Sequence, residues 1–354
     1  MEITVEKARA LKPKPTDESK LGFGQIFTDH MFLVNYEAGK GWSNARIVPY
    51  GPVEMDLSSM VFHYGQAYFE GLKAYRAKDN SILLFRPADN FKRANSSAAR
   101  LSMPDIDVPA TVEALRQLVD IERDWVPHSP GTTLYIRPTM IATDHALGVR
   151  PSNTYLFFII LSPVGAYYAT GLKPVKMSVE QNYVRAVRGG TGFTKFAGNY
   201  AASLAAMQMA HERGCAQVLW LDGVHRKYID EVGSMNIFFK INGKIVTPAL
   251  GGSILPGITR DSIIQLAREM GLEVEERPIE LAEILDLGKN GKLEEIFGSG
   301  TAAVVSPVSE LVLESGSIVV NNGEMGPVTS KLYDTLTGIQ YGDIPDNHGW
   351  VVKV

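Results

Sequence analysis

The chain has 354 residues, 45% of them hydrophobic and 21% charged, with a formal net charge of −4. That length exceeds what one hydrophobic core usually holds, so two domains are expected. The slightly acidic balance, without any lysine or arginine run, leaves no electrostatic case for nucleic acid. The longest apolar run, TYLFFIILSPVGAYY, is too short to cross a bilayer and reads as a buried strand.

In chain order, MEITVEKARALKPKPTDESK is mixed in charge and has no apolar signal region, and the single cysteine, Cys215, allows no internal disulfide framework. Together these predict a cytoplasmic protein. HMFLVNYEAG, ILLFRP and TLYIRPTMIA read as strands. PADNFKRANSSAARLSM reads as a helix with Asp89 or Asn90 as its N-cap, and TVEALRQLVDIERDWV keeps helical apolar spacing. The glycine-containing stretch from ATGLKPVKMSVEQNY onward predicts a linker over 171–182, dividing an N-terminal domain (1–170) from a C-terminal one (183–354). Beyond it NYAASLAAMQMAHERG, TRDSIIQLAREMG and PIELAEILD read as helices. AQVLWLD, NIFFKING, KIVTPA and GSIVVNNG read as strands. Strand-turn-strand signals outweigh regular strand-helix alternation, which predicts an α+β fold with mixed sheets.

Several chemistries drop out. The seven histidines form no H-E-x-x-H pair, and one cysteine cannot build a zinc site, so no metal is expected. No G-x-S-x-G elbow and no Walker A motif occur. IFGSGTAA places Gly298, Gly300 and Ala303 in dinucleotide-like spacing, but the following VVSPVSE resists the helix such a fingerprint must open.

What remains is a set of anion-holding turns and two isolated charges. LPGITR feeds a helix near Thr259, and FGSGTA is a tight glycine turn; either could present backbone N–H groups to a phosphate. Lys195 sits in RGGTGFTKFAGNYAAS among small residues, with Tyr200 behind it. The glycines suggest room for a flat ring, although a solvated loop lysine is the commoner fate. Glu231, in YIDEVGSMNIFF, enters an apolar strand and needs a partner there. Pyridoxal 5′-phosphate answers all of these at once, since its ring nitrogen pairs with a carboxylate and its aldehyde with a lysine.

At these residues the chain resembles the branched-chain aminotransferases, pyridoxal-phosphate enzymes of fold type IV. The resemblance runs through FTDHM, HYGQAYFEGLKAY, LFRPADNFKR, LYIRP, GGTGFTKFAGNYAAS, QVLWLDG, EVGSMNIFF, LPGITR and GSGTAAVVSPV. It implies a small α/β N-terminal domain and a larger C-terminal domain with a pseudo-barrel of mixed sheets, working as a homodimer. Residue by residue, it implies that Lys195 forms the Schiff base, Tyr200 meets the cofactor's phenolic oxygen and Glu231 its ring nitrogen. Arg93, Ile258, Thr259 and Thr301 would hold the phosphate, with Ser234 at a position often threonine. Thr301 and Ala302 would offer N–H groups to the substrate carboxylate. Phe27, Tyr64, Phe69, Tyr135 and Tyr167 would line the substrate pocket, and Arg137 would help with the acidic co-substrate. The implied reaction passes the amino group of leucine, isoleucine or valine to 2-oxoglutarate, giving the 2-oxo acid and glutamate.

Two departures stand out. Ala197 replaces a family glycine, which is harmless unless that position needs a positive φ. Ala303 and Ser306 replace the C-x-x-C pair of animal members. The competing readings are a D-amino-acid aminotransferase, an aminodeoxychorismate lyase or a non-catalytic phospholigand-binding protein. The first two are shorter and lack the FTDHM, LFRPADNFKR and LYIRP set, and simple binding has no need of Lys195, Tyr200 and Glu231 together.

Overall fold

The structure, a computed structural model, describes residues 2–165 and 172–354. Tyr167 lies outside the described residues. By its contacts the chain divides into two compact units. The first comprises Met1–Tyr167, Thr194–Ala197 and Ile339–Val354, and the second Tyr168–Phe193 and Gly198–Gly338. The N-terminal unit, expected to be the smaller, holds the more residues of the two.

The first unit is built on β1 (Thr4–Val5), β2 (His30–Glu37), β3 (Gly41–Pro49), β4 (Ala67–Phe69), β5 (Leu72–Arg76), β6 (Ile82–Phe85), β7 (Thr133–Ala142) and β8 (Thr154–Val164), with helices α1 (Met60–Tyr64), α2 (Pro87–Arg100) and α3 (Val108–Ile121). The central ladder is antiparallel β7–β8, running from Thr133↔Val164 to Ala142↔Tyr155. Its β-branched and aromatic residues suit a buried pleated surface. One core gathers Leu72, Leu84, Ile136 and Phe157 with Phe91 and Ala94 of α2 and Leu115 and Leu118 of α3. The helical residues recur at three- and four-residue spacing, as an amphipathic face requires. The expected cap of α2 is displaced: Arg86 is the N-cap, in the left-handed region at φ 50°, and Pro87 opens the helix. Proline is pre-set for that first position, so Asp89 falls inside the first turn, where it bonds Arg86 at 2.8 Å.

The second unit carries β9 (Val175–Val179), β10 (Gln217–Leu221), β11 (Ile229–Val232), β12 (Asn236–Ile241), β13 (Lys244–Thr247), β14 (Val274–Glu276), β15 (Leu293–Gly300), β16 (Val304–Leu313) and β17 (Gly316–Val319). Its helices are α4 (Ala197–Ala201, opening at the unit boundary), α5 (Leu204–Glu212), α6 (Ile258–Glu269), α7 (Leu281–Lys289) and α8 (Pro327–Gln340). The sheet order is β11-β10-β9-β16-β15-β12-β13-β14, with β17 beside β16. It mixes parallel pairs, β9 with β10 and with β16, among antiparallel ones. The expected α+β class with mixed sheets is thus observed.

Three boundaries differ from expectation. The stretch read as a linker contains β9, whose Met177, Ser178 and Val179 are buried between two parallel neighbours. The helix read over NYAASLAAMQMAHERG is two helices, broken at Ala202 and Ser203. The chain's last strand, β18 (Val351–Lys353), pairs antiparallel with β6 and so belongs to the first unit's sheet. Among the described residues no helix is long and apolar enough to cross a membrane.

Candidate active site

Lys195 belongs to a four-residue segment, Thr194–Ala197, that packs with the first unit while the chain on both sides of it packs with the second. The segment is held as a short extension beside β4. Phe69 N–H donates to the Lys195 carbonyl at 3.2 Å, Lys195 N–H donates to Ser97 Oγ at 3.0 Å, and Phe196 bridges Tyr68. The Lys195 ammonium lies over the Phe69 ring at 5.2 Å. The Arg137 guanidinium lies over the same ring at 4.5 Å and donates from Nη2 to the Tyr135 hydroxyl at 3.2 Å. Arg137 Nε is buried without a hydrogen bond, and an unsatisfied buried donor is costly. Strand pairing thus brings together Phe69, Tyr135, Arg137 and Lys195, four of the expected residues.

Arg93 projects from α2 onto a carboxylate the sequence reading did not single out. Its Nε and Nη2 donate to Glu70 Oε1 and Oε2 at 2.9 and 2.8 Å. Glu70 is fully buried and Arg93 nearly so. The bidentate fork is the strongest geometry for such a pair. Phe27 and Tyr64 have other neighbours: Phe27 stacks on Tyr50 with centroids 5.0 Å apart, and the Tyr64 hydroxyl donates to the Leu147 carbonyl.

In the second unit Glu231 stands on β11, 3% exposed. Its Oε1 accepts from Leu255 N–H at 2.8 Å and from Asn236 Nδ2 at 3.4 Å. Its Oε2 lies 3.3 Å from Arg185 Nε, and the Arg185 fork also donates to the Ser253 carbonyl. Asn236 Nδ2 donates in addition to the Leu255 carbonyl at 2.9 Å, which ties Glu231 to the turn that opens α6. Gly257 caps that helix; a Cβ there would stand 2.0 Å from Asn236 Oδ1, so only glycine permits the approach. Ile258 and Thr259 are buried in the first turn, where backbone N–H groups have no acceptor within the helix.

In the glycine-rich stretch before Lys195, one glycine serves a close contact within the protein. A Cβ on Gly192 would meet the Ser253 carbonyl oxygen at 2.2 Å and the Ala186 Cβ at 2.4 Å. The missing side chain therefore lets protein backbone pack on backbone. Thr191 and Asn199 then clamp the stretch to α4, which carries Tyr200, through bonds of 2.7 and 2.8 Å. Ala197 opens α4 and is not among the residues with positive φ, so the backbone strain that glycine would avoid does not arise there. Thr301 and Ala302 lie in the three-residue loop of the β15–β16 hairpin, in register Gly300↔Val304. Val304 closes the loop at φ 61°, a position of strain for a β-branched residue. Gly298 and Gly300 are thus strand residues and open no helix. Ser234 is exposed in the turn after β11.

Glu70, Arg185 and Asn236 escaped the sequence reading. Glu70 had a signal, since a lone acid between AYF and GLKAY must be buried with a cation. Arg185 and Asn236 had none, because their roles depend on non-local pairing.

Residues 67–311 match the family described as Amino-transferase class IV. The chain is 57% identical over 352 residues to branched-chain-amino-acid aminotransferase 2 of Bacillus subtilis, covering 99% of this chain and 97% of that protein. It is 49% identical over 338 residues to the branched-chain-amino-acid aminotransferase of Mycolicibacterium smegmatis, covering 94% and 92%. Among solved structures it is similar to the branched-chain amino acid aminotransferase of Escherichia coli, with TM-score 0.75, 29% identity and coverage of 90% and 98%. It is also similar to the Thermobaculum terrenum enzyme in its pyridoxal-phosphate form, with TM-score 0.72, 25% identity and coverage of 91% and 97%.

Proposed function

The chain belongs to the class IV aminotransferases, and from that premise we propose that it is a branched-chain amino acid transaminase. It moves the amino group of leucine, isoleucine or valine to 2-oxoglutarate, yielding the branched 2-oxo acid and glutamate. The observation that carries this reading is the group around Phe69: an amine, an apolar ring and a guanidinium with a buried free N–H. An apolar wall suits a branched side chain, and Arg137 suits the γ-carboxylate of the other substrate. One methylene changes such discrimination by only about 1–3 kcal/mol, so all three branched amino acids react.

The donor set fits pyridoxal phosphate. Lys195 offers an amine, Glu231 a buried carboxylate held in place by a backbone N–H, and α6 an N-terminus whose first amides have no acceptor inside the helix. Bound there, the cofactor supplies the electron sink that makes the substrate Cα–H acidic. Lys195 would take up that proton as general base and hand it on as general acid in the following step. Glu231 holds a proton on the ring nitrogen. Tyr200 donates to the phenolic oxygen. Arg93, Ile258, Thr259 and Thr301 hold the phosphate, with Ser234 beside it. Thr301 and Ala302 amides hold the substrate carboxylate, and Phe27, Tyr64, Tyr135 and Tyr167 complete the walls.

A second copy of the chain completes the enzyme in this reading. Leu57, Phe62, Leu147 and Val149 are 84, 57, 67 and 85% exposed. The segments bearing them are joined by Ala146 N–H to Ser58 and by the Ser59–His145 bridge. Such an exposed apolar patch marks a protein interface. The cytoplasm is the compartment that suits it.

The test is borohydride reduction of the purified protein, peptide mapping of the adduct and assay of leucine with 2-oxoglutarate. Label on Lys195 with turnover is expected. A colourless protein that cannot be reconstituted, or label on another lysine, would sink the reading.

A further inference from the structure

We infer that Arg185 is a positioning residue for Glu231, acting through that carboxylate on the cofactor's ring nitrogen. The inference rests on the reading just given, in which Glu231 meets that nitrogen.

The geometry is unusual for a buried ion pair. Arg185 is 8% and Glu231 4% exposed in their side chains, and Nε stands 3.3 Å from Oε2. Yet Nε makes no hydrogen bond, because the carboxylate oxygen lies off the N–H direction. Two buried charges this close ordinarily close into a linear or bidentate contact, which offsets their desolvation. Here the guanidinium is held back by its bond to the Ser253 carbonyl. Gly192 lets the chain beside Ala186 lie close against the Ser253 carbonyl that accepts this bond.

The carboxylate is meanwhile anchored through its other oxygen. Leu255 N–H and Asn236 Nδ2 both reach Oε1. The cation therefore stands beside Oε2 without engaging it as a fork would. That is the arrangement needed by a carboxylate that must hold its orientation and negative charge in a buried site before a protonated ring nitrogen arrives. A bidentate pair would commit both oxygens to the arginine.

The experiment separates action through the ring nitrogen from general support of the fold. The full-length protein, freed of cofactor, is titrated by fluorescence with pyridoxal phosphate and with its 1-deaza analogue, in which CH replaces the ring nitrogen. The wild type binds pyridoxal phosphate more tightly than the analogue. In Arg185→Met the affinity for pyridoxal phosphate falls about tenfold, the worth of one charge-assisted contact, while that for the analogue stays within about twofold. Arg185→Lys, which keeps the charge but not the planar guanidinium, recovers part of the loss and carries the test if Arg185→Met fails to fold. Equal weakening toward both ligands overturns the inference and leaves Arg185 as a brace for the Ser253 backbone. A wild type that shows no preference, or binds neither ligand, overturns the underlying assignment of Glu231 as well.

Discussion

Each unit of the molecule buries an arginine–carboxylate pair, and the two are built to opposite plans. Arg93 and Glu70 close a fork with two bonds under 3 Å, so the carboxylate turns both oxygens to one cation. Arg185 and Glu231 stay ajar, with one oxygen on a backbone amide and the other facing an Nε that does not bond it. The closed pair ties α2 to the sheet and fixes the guanidinium that the proposed phosphate contact needs. An open pair leaves its carboxylate oriented toward more than its cation, and this one is tied through the Leu255 N–H to the turn that opens α6. Burial alone therefore does not tell how a carboxylate is committed; the direction of its bonds does.

The largest effect expected from this contrast is on folding. Glu70→Ala removes the carboxylate from a fork with no solvent nearby, and breaking a buried pair from one side costs about 3–5 kcal/mol. Urea unfolding should show that loss, and a loss near zero would mean that the closed pair is no brace. Glu231→Gln should behave in reverse. It keeps the Leu255 contact through its amide oxygen, so stability drops by less than about 2 kcal/mol, while turnover of leucine falls about a hundredfold. Comparable stability losses in the two variants would erase the distinction between the pairs.

The smallest effect concerns the turn that sets β11, and hence Glu231, against β10. Asp222 accepts from the N–H groups of Val224, His225, Lys227 and Tyr228. Partial burial pushes its carboxyl up, but the four donors outweigh that and bring it down to about 2. Its contribution is therefore present above the ordinary aspartate range and is lost as pH falls through about 2. Asp222→Asn should be less stable than the wild type by about 1 kcal/mol at neutral pH. The gap should narrow as the pH falls from the ordinary aspartate range toward about 2; a gap independent of pH would show that the ionised form is not what the turn uses.

Much of this architecture was legible in the chain, for reasons that particular elements make plain. β7 and β8 announce themselves because they are long, apolar and rich in β-branched and aromatic side chains. Lys195 and Glu231 stand out because each is a charge among residues that do not solvate charge. β9 went unread because VKMSV is short and half polar, and it is a strand only by virtue of the parallel neighbours on either side. The break at Ala202 and Ser203 hides in a run of good helix formers. Arg185 looks like any loop arginine, and nothing local distinguishes it from Arg188. Gly192 was visible, but its composition pointed to a ligand where the neighbour is Ser253.

The pairing of β18 with β6 has a consequence for how the protein is made. Leu83, Leu84 and Phe85 pair with Lys353, Val352 and Val351, residues that emerge from the ribosome some 270 positions later. At about 5–20 residues per second, an ILLF strand waits on the order of tens of seconds with one edge of its backbone unpaired. That is the sort of apolar edge on which nascent chains aggregate and to which chaperones bind. Synthesis of this sheet therefore runs ahead of its own closure, and its β6 edge is covered by a strand made some 270 residues later.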